Sequence, residues 1–222
     1  MTTRPDEVMR ALDDLVRSGK ILYLGICNTA AWRVAELQTM ADLRGWSSFV
    51  ALQIEYSLLE RTVEHELMPM ASALGLGVLP WSPLGGGVLT GKYTRSDVND
   101  SREAGVALTR KGVIASSGHL NERAIGIAHV VRVLAEEIGV TPSQVALAWT
   151  LVNPTVTAPI IGAQTLAQAE DNLGALGVVL SDDHLARLNE VSAPDPIYPA
   201  RFVHRPLVQQ LMFGGASVAR RA

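Results

Sequence analysis

A tryptophan, three successive glycines and a lysine stand close together in Leu76–Tyr93, LGVLPWSPLGGGVLTGKY. Gly77-Val78-Leu79 is a short apolar run bounded by glycine, the pattern of a strand inside a parallel sheet. Pro80 cannot donate to a ladder, so the strand ends near Trp81. Ser82-Pro83-Leu84 and then Gly85, Gly86 and Gly87 follow, with Lys92 adding a cation. Glycines let a backbone approach a ligand closely and aim its N–H groups at an anion. An aromatic face, a run of backbone amides and a lysine would suit a nucleotide with a flat ring and phosphates. The same residues also describe a mobile loop beside a core tryptophan, and taken alone they do not choose.

The elements that must position this stretch are legible on both sides of it. Pro5, Asp6 and Glu7 open a helix behind a Thr3 cap, Val8, Leu12, Leu15 and Val16 recur at helical spacing, and Ser18-Gly19 closes the run. Ile21–Ile26 reads as a strand. Asn28-Thr29 then caps a helix whose apolar face is Trp32, Ala35, Leu37, Met40 and Leu43. A strand over Phe49–Ile54, a helix over Arg61–Leu74 and the strand Leu76–Trp81 continue the rhythm. Such alternation, with apolar strands, implies a parallel sheet covered on both faces. Ligands gather at the carboxyl ends of such strands. Those ends hold Cys27-Asn28, Gln53 and Trp81-Ser82, each polar or aromatic where an apolar run stops.

Residues 94–118 have no sustained periodicity and are expected to form a long loop or lid. Helices follow at Leu120–Ile138 and Pro142–Leu151, then a fourth strand near 157–161 and helices over Gln164–Leu176 and Asp182–Val191. Pro159 argues against a central place for that fourth strand. One domain is expected over 1–193, with a loosely ordered tail over 194–222.

The 222 residues suffice for a sizeable core, and a 48% hydrophobic content excludes wholesale disorder. A net charge of −3 offers no general attraction to nucleic acid or anionic membrane, and neither is expected as a partner. The single cysteine, Cys27, excludes an internal disulfide framework and fits a cytoplasmic location; it is expected buried and inert, with no basic neighbour in sequence. The five histidines are scattered without a metal-binding spacing, so no metal site is expected. Tyr23 and Tyr56 are expected to pack rather than to act as acids.

Taken in order, GKILYLGICN, ALQIEYSLLER, VLPWSPLGGGVLTGKY, PSQVALAWTL and PIIGAQTLAQAEDNLGAL resemble the aldo-keto reductases, TIM barrels that reduce carbonyls with NADPH. The resemblance runs from Glu7 to about Glu190. It implies an α/β fold, a partial (β/α)8 barrel comprising parallel strands five to eight with outer helices. It implies that Trp81 stacks on the nicotinamide and that Asn28 and Gln53 hold its carboxamide. Ser82, Pro83, Leu84 and Gly86 would line the pyrophosphate, with Lys92 near the phosphates. Gly162, Gln164, Gln168, Asp171 and Asn172 would wrap the adenosine end, where amides at a helix start suit phosphate.

Two residues depart from the family pattern. Cys27 stands where a serine is usual, and Gln164 where many members place an arginine against the 2′-phosphate. NADPH is the expected cofactor, with NADH possible for that reason. The catalytic Asp, Tyr, Lys and His of the family belong to its first four strands, which the resemblance does not include. No catalytic residue is therefore assigned, and the chain is expected to be a fragment, a mis-started reading frame or a degenerate copy, inactive alone. A carbonyl substrate would be handled only with the other half supplied. The other expectation is a non-catalytic nucleotide-binding or interaction subunit, and exposed half-barrel edges would favour self-association.

Overall fold

The computed structural model describes residues 3–103 and 110–216. Helix α1, Pro5–Arg17, starts with proline at its first turn, where the missing N–H costs nothing, and with Asp6 and Glu7 at the positive end of its dipole. Arg4, not Thr3, occupies the cap position, and the buried side chains are Met9 and Asp13. Asp13 accepts from Ser47 N at 2.8 Å and Oγ at 2.9 Å and from Arg17 Nε at 2.6 Å, which fastens the helix to the start of the next strand unit.

Strand β1, Leu24–Cys27, is followed by α2, Ala31–Arg44, and β2, Phe49–Glu55. Helix α3, Leu67–Ala73, leads to β3, Gly77–Trp81. The expected helix from Arg61 is shorter than its sequence span, because Thr62–Glu64 takes a single 3-10 turn. Helix α2 buries Val34, Leu37, Gln38 and Ala41, whereas Trp32 and Leu43 of the expected apolar face are exposed. Gln38 is the reason the stripe misleads: its amide donates to and accepts from the Phe49 backbone, a polar residue satisfied inside the core.

The sheet is parallel in the order β1-β2-β3, with Cys27 opposite Gln53 and Glu55 opposite Trp81. Burial alternates along it: Leu24, Ile26, Leu52, Ile54 and Val78 are buried, while Gly25, Cys27, Gln53, Glu55, Leu79 and Trp81 are less covered. The expectation of two covered faces is thus corrected. Helices cover one face, and the other, which carries Cys27, Gln53, Glu55, Leu79 and Trp81, is less covered. The main core lies on the covered side, where these strand residues meet Val34, Leu37, Met68, Ile127, Val131 and Leu134.

The fourth strand expected near 157–161 is reduced to a single parallel bridge between Val78 and Val156. Thr157 N donates to Val78 O at 2.8 Å and Ile160 N to Pro80 O at 2.7 Å, so the segment runs beside β3. Pro80 and Pro159 have no N–H to give, and the ladder cannot propagate between them.

Residues 94–118, expected as a loop, contain α4, Arg95–Glu103, and α5, Arg110–Ser116. Val98 and Ile114 pack with Val88, Leu120, Ala124 and Ala128 in a second small core. A nine-residue helix, RSDVNDSRE, with one buried apolar residue has no stripe to detect. Helix α6, Glu122–Ile138, is capped by Asn121, and α7, Pro142–Val152, by a capping box of Thr141 and Gln144. Helices α8, Leu166–Leu173, and α9, Asp182–Ser192, complete the outer layer. Beyond residue 194, α10, Ala200–Val203, and α11, Pro206–Phe213, carry no buried residue.

Candidate functional site

The carboxyl ends of the three strands bring two of the predicted groups together. Trp81 Nε1 donates to Asn28 Oδ1 at 3.1 Å, and Cys27 Sγ donates to Gln53 Oε1 at 3.3 Å. These bonds use both carboxamide oxygens. The two amide nitrogens, each a donor, have no protein partner among the described residues. Among the described residues Asn28 and Ser82 are the non-glycine positions with positive φ, at 46° and 55°, and they stand where the chain leaves β1 and β3. Backbone held in this region is strained, and here it turns the chain sharply at the strand ends. Cys27 is exposed, which corrects the expected buried thiol: alternation along β1 turns it to the uncovered face.

Past Ser82 the chain folds into a tight 3-10 turn over Gly85–Thr90, with Gly85, Gly86 and Gly87 all at positive φ. A Cβ on Gly86 would come within 2.7 Å of Ile114 Cγ1, and one on Gly87 within 2.9 Å of Lys92 Nζ. The turn is therefore pressed against α5 on one side and the lysine on the other, and only glycine fits both the angle and the space. Lys92 also lies over the Tyr93 ring, 5.1 Å from its centre.

A cleft of about 600 Å³ opens along this turn. Ser82, Pro83, Leu84, Gly86 and Lys92 line one wall, and Gly162, Gln164, Gln168, Asp171 and Asn172 line the other. Asn28, Gln53 and Trp81 do not line it; they stand at the strand mouths, Trp81 next to Ser82 in sequence. The cleft also takes in Gly87 of the glycine run, together with Thr90, Ser143, Ile160, Ile161 and Ala163, which were not anticipated from sequence. The far wall is fixed through α7. Thr141 Oγ1 and Gln144 Nε2 each donate to the Asp171 carboxylate at 3.2 Å, and Gln144 Nε2 also to its backbone oxygen at 2.9 Å. At the start of α8, Thr165 Oγ1 accepts from Gln168 N, and Gln168 Oε1 accepts from Gln164 N at 2.8 Å.

One pair at the strand ends was invisible in the sequence. Glu55, in register with Trp81, lies 3.3 Å from His119 Nε2, whose Nδ1 meets Ser117 Oγ at 3.1 Å. The partners are far apart in the chain, so no local spacing signals them. Loss of solvent around Glu55 raises its pKa, an effect opposed by His119 and reinforced by Glu60.

Tyr56 is 2% exposed, stacked at 5.2 Å from Trp149, and donates to Glu64 Oε1 at 2.9 Å. Burial pushes its phenol well above the ordinary value. It is a packing residue, as expected. Tyr23 is not: it precedes β1 and is 77% exposed. Among the described residues no cluster of three His, Cys, Asp or Glu side chains could hold a metal ion. No helix among them is long and apolar enough to cross a membrane.

Comparison with known proteins adds the family. The model of the Aldo/keto reductase family matches residues 1–193. The chain is 39% identical over 186 residues to uncharacterized oxidoreductase YrpG of Bacillus subtilis, covering 84% of this chain and 53% of that protein. It is 32% identical over 198 residues to versiconal hemiacetal acetate reductase of Aspergillus parasiticus, covering 89% and 56%. It is 30% identical over 202 residues to norsolorinic acid reductase of Aspergillus flavus, covering 91% and 48%. The chain spans about half the length of these relatives. With a parallel sheet wrapped by helices, a glycine turn at a strand end and this match over most of its residues, the chain belongs to the aldo/keto reductase family of oxidoreductases.

Proposed function

We propose that this chain supplies the nicotinamide-dinucleotide site of an NAD(P)H-dependent carbonyl oxidoreductase. The observation that carries the proposal is the cleft: it runs from the strand ends at Ser82, along the glycine turn with its lysine, to the neutral start of α8. Its volume falls in the range of cofactor clefts, roughly 300–1,000 Å³. Its donors suit the group chemically. Backbone at Gly86 and Gly87 can approach a diphosphate, and the Lys92 ammonium lies beside that turn. When bound, the dinucleotide would exchange a hydride with a carbonyl or alcohol.

The chain's own residues then have distinct tasks. The bond to Asn28 fixes the plane of the Trp81 indole, which gives a flat ring a set surface to stack on. The amide nitrogens of Asn28 and Gln53 offer two donors for a carboxamide oxygen. Asp171 holds the far wall against the start of α7, and α5 backs the glycine turn through Ile114.

None of the described tyrosines is assigned the proton for a nascent alkoxide: Tyr56 is sequestered against Glu64, Tyr93 packs against the small core of Val98 and Ile114, and Tyr23 and Tyr198 lie out in solvent. We assign the acid to the half of the barrel that this chain does not span. General acid catalysis contributes ~10²–10⁴-fold, so the isolated chain should bind dinucleotide weakly and show no measurable carbonyl reduction. The same observation favours a second reading, a nucleotide-binding subunit without turnover.

Titration of the 222-residue chain with dinucleotide, followed by tryptophan fluorescence and calorimetry, tests the proposal. Binding should quench fluorescence, and Trp81→Ala should remove that quench. Binding without quenching, or an undiminished quench in Trp81→Ala, would place the nicotinamide elsewhere. Oxidation of NADPH by the chain alone with a simple aldehyde would show that the acid resides here after all. A separately produced first half of a relative that docks and restores turnover would favour the enzyme over the binding subunit.

A further inference from the structure

The cleft is charged at its two ends in opposite senses. Among its described lining residues Lys92 is the one cation and Asp171 the one anion. Lys92 Nζ belongs to the glycine-turn end, since a Cβ on Gly87 would lie 2.9 Å from it. Asp171 belongs to the wall built by α8. Its carboxylate oxygens accept from Thr141 Oγ1 and Gln144 Nε2, both neutral donors that bring no counter-charge. Gln164 and Gln168, the long side chains at this end, are neutral as well.

Two of the backbone donors at this end are already in use. Gln168 N donates to Thr165 Oγ1, and Gln164 N donates to Gln168 Oε1. A phosphate seeking these two amides would displace their intramolecular acceptors, and at this end it would meet no cation among the described lining residues and lie in the field of the Asp171 carboxylate. Phosphate monoesters carry about −1.5 to −2 charges near neutral pH, and burying such a group without a cationic partner is unfavourable. A hydroxyl faces none of these costs, and it can donate to the side-chain oxygen of Gln164 or to Asp171.

We propose that this end of the cleft selects a dinucleotide with a free 2′-hydroxyl, NADH over NADPH. The inference rests on the dinucleotide reading above and on its orientation, with the adenosine against α8. Gln164 is the residue that sets the preference, because it is exposed at the mouth of this end and not committed by its side chain to the fold.

The test is direct binding of NADH and of NADPH, by calorimetry and by tryptophan quenching, with no turnover required. We expect NADH to bind at least about tenfold more tightly than NADPH. Gln164→Arg should raise affinity for NADPH by about tenfold or more, leave that for NADH nearly unchanged, and make NADPH binding steeply salt-dependent. Gln164→Lys should do the same more weakly, and circular dichroism confirms that each variant is folded. Equal or tighter binding of NADPH by the unaltered chain overturns the preference while leaving the dinucleotide site standing. Binding of neither dinucleotide by the folded chain overturns both. NADH preference that persists unchanged in folded Gln164→Arg would also overturn the assignment to Gln164.

Discussion

Replacing Gly85 by alanine tests whether the glycine turn is held by packing as well as by backbone angle. Gly85 is buried at φ 54°, and a Cβ there would collide with Leu59 Cδ1 and lie 3.3 Å from its Cγ. An L-residue in this conformation costs ~1–2 kcal/mol. Forcing a packed leucine aside costs a further ~1–3 kcal/mol. Loss of unfolded-chain freedom returns ~0.4–1 kcal/mol. The net is a destabilisation of about 1–4.6 kcal/mol, and at ~2–4 °C per kcal/mol for a chain of this size the melting temperature should fall by about 2–18 °C. Gly139 provides the comparison, because it sits at φ 80° with no atom within 4 Å of an added Cβ. Gly139→Ala therefore carries the angular cost alone and should lower the melting temperature by only a few degrees. The difference between the two variants, read by calorimetry or circular dichroism, isolates the Leu59 collision. Adding Leu59→Ala to Gly85→Ala should then cost less than the sum of the two single changes. A Gly85→Ala protein that melts no lower than Gly139→Ala would refute the argument.

Three further outcomes can be checked. Because the Glu55 pKa is raised in the folded state, that state binds more protons than the unfolded one, so the burial cost is fully present at neutral pH and fades as pH falls through the carboxylate range. Glu55→Gln should therefore stabilise the protein at pH 7 and lose that advantage near pH 4.5; a loss of stability at pH 7 would show that the His119 contact outweighs burial. The Tyr56 phenol is held neutral by burial, so Tyr56→Phe should leave the amplitude of the phenolate absorbance titration of the folded chain unchanged near pH 10 while lowering stability by ~1–2 kcal/mol. Finally, the sheet's uncovered face and the outer edge of β1, flanked by exposed Leu22, Tyr23 and Val50, should drive association. Light scattering is expected to give a mass above the 23.8 kDa of one chain, and a stable monomer at micromolar concentration would count against it.

The parallel order of elements was legible because it depends on local chemistry. Proline at a helix start, glycine after a helix, and compact apolar runs such as Phe49–Ile54 carry their meaning within a few residues. The glycine turn was equally plain, since three adjacent glycines leave few other uses for the backbone. The positions of the other cleft residues along the chain came from the family resemblance, which carries relations that spacing within one chain does not.

Where the reading from sequence departed from the fold, the deciding contact lay far along the chain. Cys27 was expected buried, yet β1 turns it to a face that no helix covers, and whether a face is covered depends on what packs there. The strand near 157–161 shrank to one bridge because Pro159 runs beside Pro80, a coincidence of two prolines across the sheet. Helices α4 and α5 form in an apparent loop because Val98 and Ile114 find a shared apolar pocket with α6. Glu55 meets His119, and Asp171 meets Thr141 and Gln144, through side chains that only folding makes neighbours. The sequence by itself determined the alternation of the first three strands with their helices and where a nucleotide-like loop sits, because propensity, capping and turn chemistry act within a few residues. Tertiary structure alone decided which face is open, where the cleft runs and which charges face it, because burial and electrostatics are set by proximity in space.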